Sequence, residues 1–188
     1  MGNGINVLNL CDGISCGKVA LDRAGIKVNK YFSSEIDENA IAISKKNHDG
    51  IIRLGDITKW REWDLPHIDL VLSDTPCQGF SRAGMMLNFK DERSKLFFEF
   101  VDILNDIKTK NPDVLFLFEN VKMKDVWKDI ITDKLGVEPI IYACQCFDAG
   151  TLTATIIGIT IIKILLSGFA GILIMFIGFA IAFFISNR

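Results

Sequence analysis

The stretch INVLNLCDGISCGKVALDRA, residues 5–24, joins an apolar run to an amphipathic segment through a loop that contains two glycines. The apolar run predicts a strand, and the spacing of apolar residues from Lys18 onward predicts a helix. Small residues in such a loop let a nucleotide-like ligand approach the backbone N–H groups. Because Gly13 and Gly17 are spaced G-x-x-x-G and not G-x-G-x-x-G, a simple tight turn is the alternative interpretation.

The same alternation of apolar runs and amphipathic segments continues to about residue 145. It predicts an α/β fold in which βαβ units form a largely parallel sheet covered by helices. The predicted strands are 5–10, 28–33, 68–72, 114–118 and 138–143. The predicted helices are 18–24, 39–47, 94–110 and 124–135, and Gly25 and Gly136 are expected to end two of them.

The charged residues are concentrated in the first part of the chain. Every Asp and Glu lies at or before Asp148, and only Lys163 and Arg188 follow it. The first part lacks the basic stripe of a typical nucleic-acid binder. Five cysteines without a secretory leader predict a reducing, cytoplasmic setting. Cys144 and Cys146 form a C-x-C pair far in sequence from both histidines, so no metal site is expected.

Acidic residues follow the predicted strands near one edge of the sheet. Asp12 lies in the first loop, and Asp56 follows Gly55. Glu35 comes about twenty residues after the first loop, where doubly wound nucleotide binders place an acid for ribose hydroxyls. Each acid alone is typical of a solvated loop. Because all three follow strands in order, they predict a ligand site.

A thiol and a carboxyl group also follow neighbouring predicted strands. Cys77 lies between Pro76 and Gln78, just after an apolar run that ends in Ser73-Asp74-Thr75. A free cysteine is commonly a small buried apolar residue, but its place in a loop fixed by a proline favours a nucleophile. Glu119 follows the apolar run 114–118, so the two groups predict a catalytic pair.

Three motifs occur in a specific order: Pro76-Cys77-Gln78, the segment 91–98, and Glu119-Asn120-Val121. With them the chain resembles the N-terminal part of a bacterial or phage cytosine-C5 DNA methyltransferase, from about residue 7 to residue 140. The resemblance implies a Rossmann-like S-adenosylmethionine-dependent methyltransferase fold, incomplete at its C-terminal end. It also implies methyl transfer to DNA, in restriction-modification or in phage self-protection.

The resemblance implies that S-adenosylmethionine is the cofactor. Glu35 would bind the ribose hydroxyls, Asp56 and Ile57 would lie at the adenine edge, and Leu96 would pack on the adenine. The full set of implied cofactor contacts is Cys11, Asp12, Gly13, Ile14, Glu35, Ile36, Asp56, Ile57 and Leu96. Cys11 stands where the family carries a phenylalanine, so part of the stacking surface is expected to be lost.

The resemblance also implies the chemistry. The Cys77 thiolate would add to C6 of a cytosine flipped out of double-stranded DNA, and Glu119 would hydrogen-bond to N3 or protonate it. The implied contacts to the flipped nucleotide are Pro76, Gln78, Ser81, Asn120 and Val121. Asp74 replaces a glycine of the family pattern, and a nearby anion is expected to raise the pKa of the Cys77 thiol.

The end of the chain departs from the family pattern. The predicted division is a truncated catalytic domain over 1–143, a linker over 144–150 and an apolar tail over 151–188. Residues 164–185 carry no charge and are long enough to cross a bilayer as a helix. A membrane anchor, a frameshifted end and a buried core helix are the alternatives for this tail, and its predicted conformation is helical.

The arginine-bearing motif, the target-recognition domain and the closing motif of the family have no counterpart here, so weak or absent activity is expected. Two further functions remain open. One is an inactive S-adenosylmethionine-binding remnant tethered to a membrane, and the other is the same chemistry on tRNA.

Overall fold

The computed structural model describes residues 4–76, 95–121, 123–142 and 181–185, and for residues 121, 140–142 and 181–185 it describes only the backbone. Strands and helices alternate in this part of the chain. The strands are β1 (Ile5–Leu10), β2 (Val28–Ser34), β3 (Ile51–Arg53), β4 (Leu70–Ser73), β5 (Leu115–Val121), β6 (Ile140–Tyr142) and β7 (Ile181–Ile185). The helices are α1 (Cys16–Arg23), α2 (Glu38–Asn47), a 3₁₀ helix (Ile57–Glu62), α3 (Leu96–Lys110) and α4 (Asp125–Leu135).

The described strands form one sheet in the order β3-β2-β1-β4-β5-β7-β6. Strands β1 to β5 are parallel to their neighbours, whereas β7 pairs antiparallel with both β5 and β6. In the parallel part the carboxyl ends of the strands meet at one edge of the sheet. Ligands of open α/β sheets bind outside this edge.

Helices cover both faces of the sheet. On one face α1 packs closely, because a Cβ atom at Gly17 would lie 2.7 Å from Leu72 and 2.8 Å from the Asn9 amide nitrogen. On the other face α3 packs through aromatic rings. The rings of Phe100 and Phe118 stack with centroids 5.1 Å apart, and both side chains are fully buried. The two helices thus bury opposite faces of the strands, as near-continuous apolar strands require.

Local sequence signals set the helix ends. Asp37 caps α2, because its carboxylate accepts hydrogen bonds from the backbone N–H groups of Asn39 and Ala40. Gly25 follows α1 and Gly136 follows α4, and both have φ near +70°. This left-handed conformation favours glycine, so the two predicted stops are confirmed.

The predicted α/β alternation is confirmed for β1, β2, β4, β5 and the four α-helices, with differences at the ends. The structure adds β3, which has three residues and too little apolar sequence to give a signal. It also adds the 3₁₀ helix, which Asp56 begins as the N-cap residue. Strand β5 runs through Glu119 to Val121, so Glu119 lies within the strand and not after it.

The predicted helical tail is wrong for residues 181–185, which form β7. Isoleucine and phenylalanine are four of these five residues, and both residue types favour strands. The backbone of this segment continues the ladder of β5, with Glu119 opposite Phe183. Residues 143–180, which include the predicted linker and most of the predicted span, lie outside the described residues. Within the described residues, no helix combines the length and the apolar character needed to cross a membrane.

Candidate functional site

The loop after β1, residues 11–15, lies at the carboxyl edge of the sheet and has an unusual backbone. Cys11, Gly13 and Ser15 have φ values of 56°, 53° and 68°. Positive φ values are uncommon for residues other than glycine and persist where the surrounding structure holds them. The loop is anchored to β2 by the Asp12 N–H, which donates to the Ser34 carbonyl at 3.1 Å.

Glu35 directly follows β2 and contacts the same loop. One of its carboxylate oxygens accepts a hydrogen bond from the Gly13 N–H at 2.7 Å. The other accepts from the N–H groups of Ile36 at 2.7 Å and Asp37 at 2.9 Å. The loop and the acid that the sequence places about twenty residues apart are therefore in direct contact.

The Asp12 side chain is directed into the protein. It is 5% exposed, and its carboxylate accepts from the hydroxyls of Ser15 at 2.6 Å and Tyr31 at 2.9 Å and from the amide of Asn9. Burial, opposed by hydrogen bonds from neighbouring hydroxyls, raises the pKa of Asp12 to about 6. A ligand in front of this loop would meet the backbone of residue 12 and not its carboxylate.

Both described cysteines are held as thiols. Burial, followed by the charges of Glu35, Asp74 and Asp56, raises the pKa of Cys11 to about 12. Burial also raises the pKa of Cys16, with Asp74 and Asp12 as further causes. The thiolate is the reactive form of cysteine, so these shifts disfavour nucleophilic attack by either side chain. The acids near Cys11 come from the ends of three strands, which shows that the edge gathers them.

Asp74 and Glu119 add two more carboxyl groups to this edge. The Asp74 side chain reaches solvent, yet desolvation by surrounding protein and the charge of Asp12 raise its pKa to about 7. Burial first, and then the charge of Asp74, raises the pKa of Glu119 well above its usual value.

In the described ranges, no group of three or more His, Cys, Asp or Glu side chains could hold a metal ion.

The remaining predicted cofactor residues differ in exposure. Ile14 is 46% and Ile36 is 68% exposed, so both present apolar surface at the edge. Ile57 is buried in the core and Leu96 packs against the core. Asp56 accepts hydrogen bonds from the N–H and the hydroxyl of Thr58, each at 2.9 Å.

The segment that leads to the predicted nucleophile is tied to β5. The buried Asn120 amide donates to the Thr75 carbonyl at 3.3 Å, directly before the half-buried Pro76. Cys77, Gln78 and Ser81 lie outside the described residues, and only the backbone of Val121 is described. The described segment that leads to Cys77 therefore lies at the same edge of the sheet as Glu119.

Five side chains around Asp12 were not singled out from the sequence. They are Asn9, Ser15, Tyr31, Ser44 and Arg53, which come from β1, the loop after it, β2, α2 and β3. A local signal exists for Asn9, which is a polar residue in the mainly apolar strand β1. The others become neighbours only through the fold.

Comparison with known proteins extends these observations. The model of the family described as C-5 cytosine-specific DNA methylase matches residues 5–125. The Type II methyltransferase M1.ScrFI of Lactococcus lactis subsp. cremoris is 50% identical over 96 residues, which are 51% of this chain and 23% of the relative. The orphan methyltransferase M.Rho11sI of Bacillus phage rho11s is 38% identical over 120 residues, 63% of this chain and 23% of the relative.

A crystal structure of a DNMT2 mutant from Spodoptera frugiperda has the same fold. The two superpose with a TM-score of 0.55 at 21% identity, over 98% of this chain and 50% of the other. This chain therefore spans about a quarter of the length of the two curated relatives and half of the solved structure. The family model matches well over half of the present sequence, and the chain belongs to the family of C-5 cytosine-specific DNA methylases.

Proposed function

We propose that this chain carries the catalytic part of a DNA (cytosine-5-)-methyltransferase that uses S-adenosylmethionine. The observation that carries the proposal is the gathering of one set of groups at the carboxyl edge of the sheet. The set comprises the Gly13–Glu35 contact, the acids Asp74 and Glu119 and the segment that enters the Cys77 loop. This edge is where open α/β sheets bind their ligands.

The residues at this edge fit S-adenosylmethionine. A Cβ atom built on Gly13 would meet nothing within 4 Å, so a ligand can approach the backbone there. The Glu35 oxygen that accepts from Gly13 makes one hydrogen bond and keeps a lone pair for a ribose hydroxyl, and the exposed side chains of Ile14 and Ile36 offer an apolar surface to the adenine. When bound, the cofactor supplies a methyl group on a positively charged sulfur.

The remaining implied contacts are weaker candidates for direct binding. Asp12 would act through its backbone, because its carboxylate is buried. Ile57 is buried as well, so it would support the adenine pocket from within the core. Cys11, Asp56 and Leu96 would line the pocket where the family pattern places them.

The proposed chemistry needs a nucleophile and an acid. Cytosine C5 becomes nucleophilic only after addition at C6, and a thiolate is well suited to this addition. Cys77 would form the bond to C6, and Glu119 would protonate N3 to remove the negative charge that builds in the ring. The pKa of Glu119 is raised by burial and then by the charge of Asp74, and this direction favours the protonated form that the role needs. Loss of the C5 proton after methyl transfer would then release Cys77.

The base must leave the duplex for this reaction, because its C5 and C6 atoms are enclosed in the stack. Pro76, Gln78 and Ser81 would contact the flipped nucleotide. Asn120 would hold the Thr75 carbonyl and so position the Cys77 loop, with Val121 beside it.

Methyl transfer to defined polymers tests the proposal against the two alternatives. The full chain would be incubated with S-adenosylmethionine carrying a labelled methyl group and with DNA, tRNA or no acceptor. We expect label in DNA at a low rate, absent in Cys77→Ala and Glu119→Ala and retained in Cys16→Ala. Label only in tRNA would favour the tRNA enzyme. Cofactor binding without transfer to either acceptor would favour the inactive remnant, and no cofactor binding would refute the proposal. The cytoplasmic setting and the membrane contact through 164–185 stay predictions.

A further inference from the structure

A chain of hydrogen bonds connects Arg53 on β3 to Asp12 in the loop after β1. The Arg53 guanidinium donates to the Ser44 hydroxyl at 3.0 Å. The hydroxyls of Ser44 and Ser15 are 2.5 Å apart, and the Ser15 hydroxyl donates to the Asp12 carboxylate at 2.6 Å. Ser15, Ser44 and Asp12 are all buried. These hydrogen bonds thus connect the edge strand β3, through α2, to the loop after β1.

The direction of these hydrogen bonds is fixed. A guanidinium has only donors, and an ionised carboxylate has only acceptors. Ser44 must therefore accept from Arg53 and donate to Ser15, which in turn donates to Asp12. Hydrogen bonds aligned in this way polarise and strengthen one another. The positive charge of Arg53 accordingly acts on the Asp12 carboxylate, and it lowers the pKa of that group against the effect of burial.

The loop depends on such support. Ser15 is the N-cap residue of α1 but has a left-handed backbone and makes no capping hydrogen bond with its side chain. A serine at this position ordinarily accepts from a backbone N–H of the first helical turn. Here its hydroxyl takes part in the series of hydrogen bonds that leads to Asp12. Left-handed conformations at Cys11 and Ser15 are costly, and tertiary contacts must hold them.

We propose that Arg53 is a positioning residue for the cofactor loop. It acts through Ser44 and Ser15 on Asp12, and it holds residues 12–15 so that the Gly13 backbone faces the ligand and contacts Glu35. This inference rests on the proposed function, because it names S-adenosylmethionine as the ligand in front of the loop. Arg53 itself would touch neither the cofactor nor the reacting atoms.

Calorimetric titration of the full chain with S-adenosylmethionine tests the inference. Arg53→Met and Ser44→Ala should each weaken binding roughly tenfold, the cost of one charge-assisted hydrogen bond in a buried network. The double variant should bind about as well as the weaker single variant, because both changes interrupt the same chain. Arg23→Met is the matched control, since Arg23 is exposed at the other end of α1, and it should bind like the wild type.

The pH profile of binding separates positioning from a general loss of stability. The charged or titratable groups that interact electrostatically with Asp12 are Arg53, Tyr31, Cys16 and Asp74. Binding should weaken as Asp12 becomes protonated on acidification. Removal of the Arg53 charge moves this protonation to higher pH, so the profile of Arg53→Met should shift to higher pH relative to wild type. Arg23→Met should not shift it.

A measurement without ligand keeps this inference distinct from the proposed function. Hydrogen exchange of the peptide that contains residues 12–15 should be faster in Arg53→Met and in Ser44→Ala than in Arg23→Met. If the wild type binds no S-adenosylmethionine, the proposed function fails, and faster exchange would still support Arg53 as the residue that orders the loop. Unchanged exchange, wild-type affinity in Arg53→Met, or fully additive losses in the double variant would overturn the inference.

Discussion

Asp74 is a carboxyl group whose ionisation opposes the folded state. The charged form is desolvated and lies near Asp12, and these two effects raise the pKa from 3.8 to about 7. The same residue raises the pKa of Glu119. A glycine at this position would carry no such charge. The acid is thus a feature of this chain whose effect on stability depends on pH.

We expect Asp74→Asn to gain stability relative to wild type as the pH rises. A carboxyl group whose pKa is raised by folding holds its proton longer in the folded state. The wild type therefore loses stability as the pH rises from about 4 to about 7, and the neutral amide does not. Urea unfolding at several pH values in this window measures the difference. The exposed Asp64→Asn is the control for loss of a surface charge, and a pH-independent difference for Asp74→Asn would contradict the prediction.

Asp74 also lies three residues before Cys77 in the chain. An anion near a thiol disfavours the thiolate. We therefore expect Asp74→Gly to lower the pH at which Cys77 reacts with a thiol reagent, provided that the other four cysteines, Cys11, Cys16, Cys144 and Cys146, are replaced by alanine in both chains. An unchanged titration midpoint would rule out this effect of Asp74.

At the residue scale, some features of the site could be predicted from the sequence and others could not. Glu35 and its place after β2 follow from strand periodicity and spacing. The inward direction of the Asp12 carboxylate does not, because a loop residue has no alternating face. The partners of Asp12 come from separate elements of the fold, and a serine such as Ser44 on a helix gives no signal that it is buried beside a loop.

At the scale of elements, the close approach of α1 to the sheet fixes where the loop after β1 ends. Gly17 leaves no room for a side chain, because a Cβ atom there would lie 2.7 Å from Leu72, 2.8 Å from Asn9 and 3.0 Å from the Tyr31 hydroxyl. We expect Gly17→Ala to lower the free energy of unfolding by about 1–3 kcal/mol, the usual cost of overpacking. Denaturant unfolding measures this. Because alanine favours helices, an increase in stability would mean that α1 can move away without cost.

Polar contacts join the 3₁₀ helix to α3, and we expect them to contribute unequally to stability. The indole N–H of Trp60 donates to Glu99 at 3.0 Å, while the more exposed Arg61 pairs with Glu99 at 3.6 Å and Asp102 at 3.4 Å. We expect Trp60→Phe to lower the free energy of unfolding by about 1 kcal/mol. Arg61→Met should cost less, because exposed ion pairs contribute little. Denaturant unfolding of both variants measures the order, and a larger loss for Arg61→Met would contradict it.

Elements also divide into those that the sequence predicts and those that it does not. Long apolar runs such as the core of β5 and the amphipathic spacing of α3 predict their elements directly. Strand β3 escaped prediction because three residues at a sheet edge carry little pattern. The polar end of β5 resembles a loop in sequence, yet pairing with β7 extends the strand through Glu119 and Asn120.

At the scale of the whole molecule, the parallel strands bring the first loop, Glu35, Asp74 and Glu119 to one edge. Parallel pairing sets this arrangement, so the alternation of strands and helices was sufficient to predict it. The apolar tail was not predictable in the same way, because an uncharged apolar run suits a membrane helix and a buried strand alike. Its described residues 181–185 pair between β5 and β6.

The central claim is that Cys77 attacks C6 of cytosine in DNA, and covalent trapping tests it most directly. In DNA that contains 5-fluorocytosine, the fluorine at C5 cannot leave as a proton does, so the enzyme stays attached after methyl transfer. A single turnover is sufficient. With S-adenosylmethionine present, we predict a denaturation-resistant adduct whose peptide mass maps to Cys77, absent in Cys77→Ala and retained in Cys16→Ala. An adduct that persists in Cys77→Ala, or no adduct in a wild-type chain that binds the cofactor, would contradict the account.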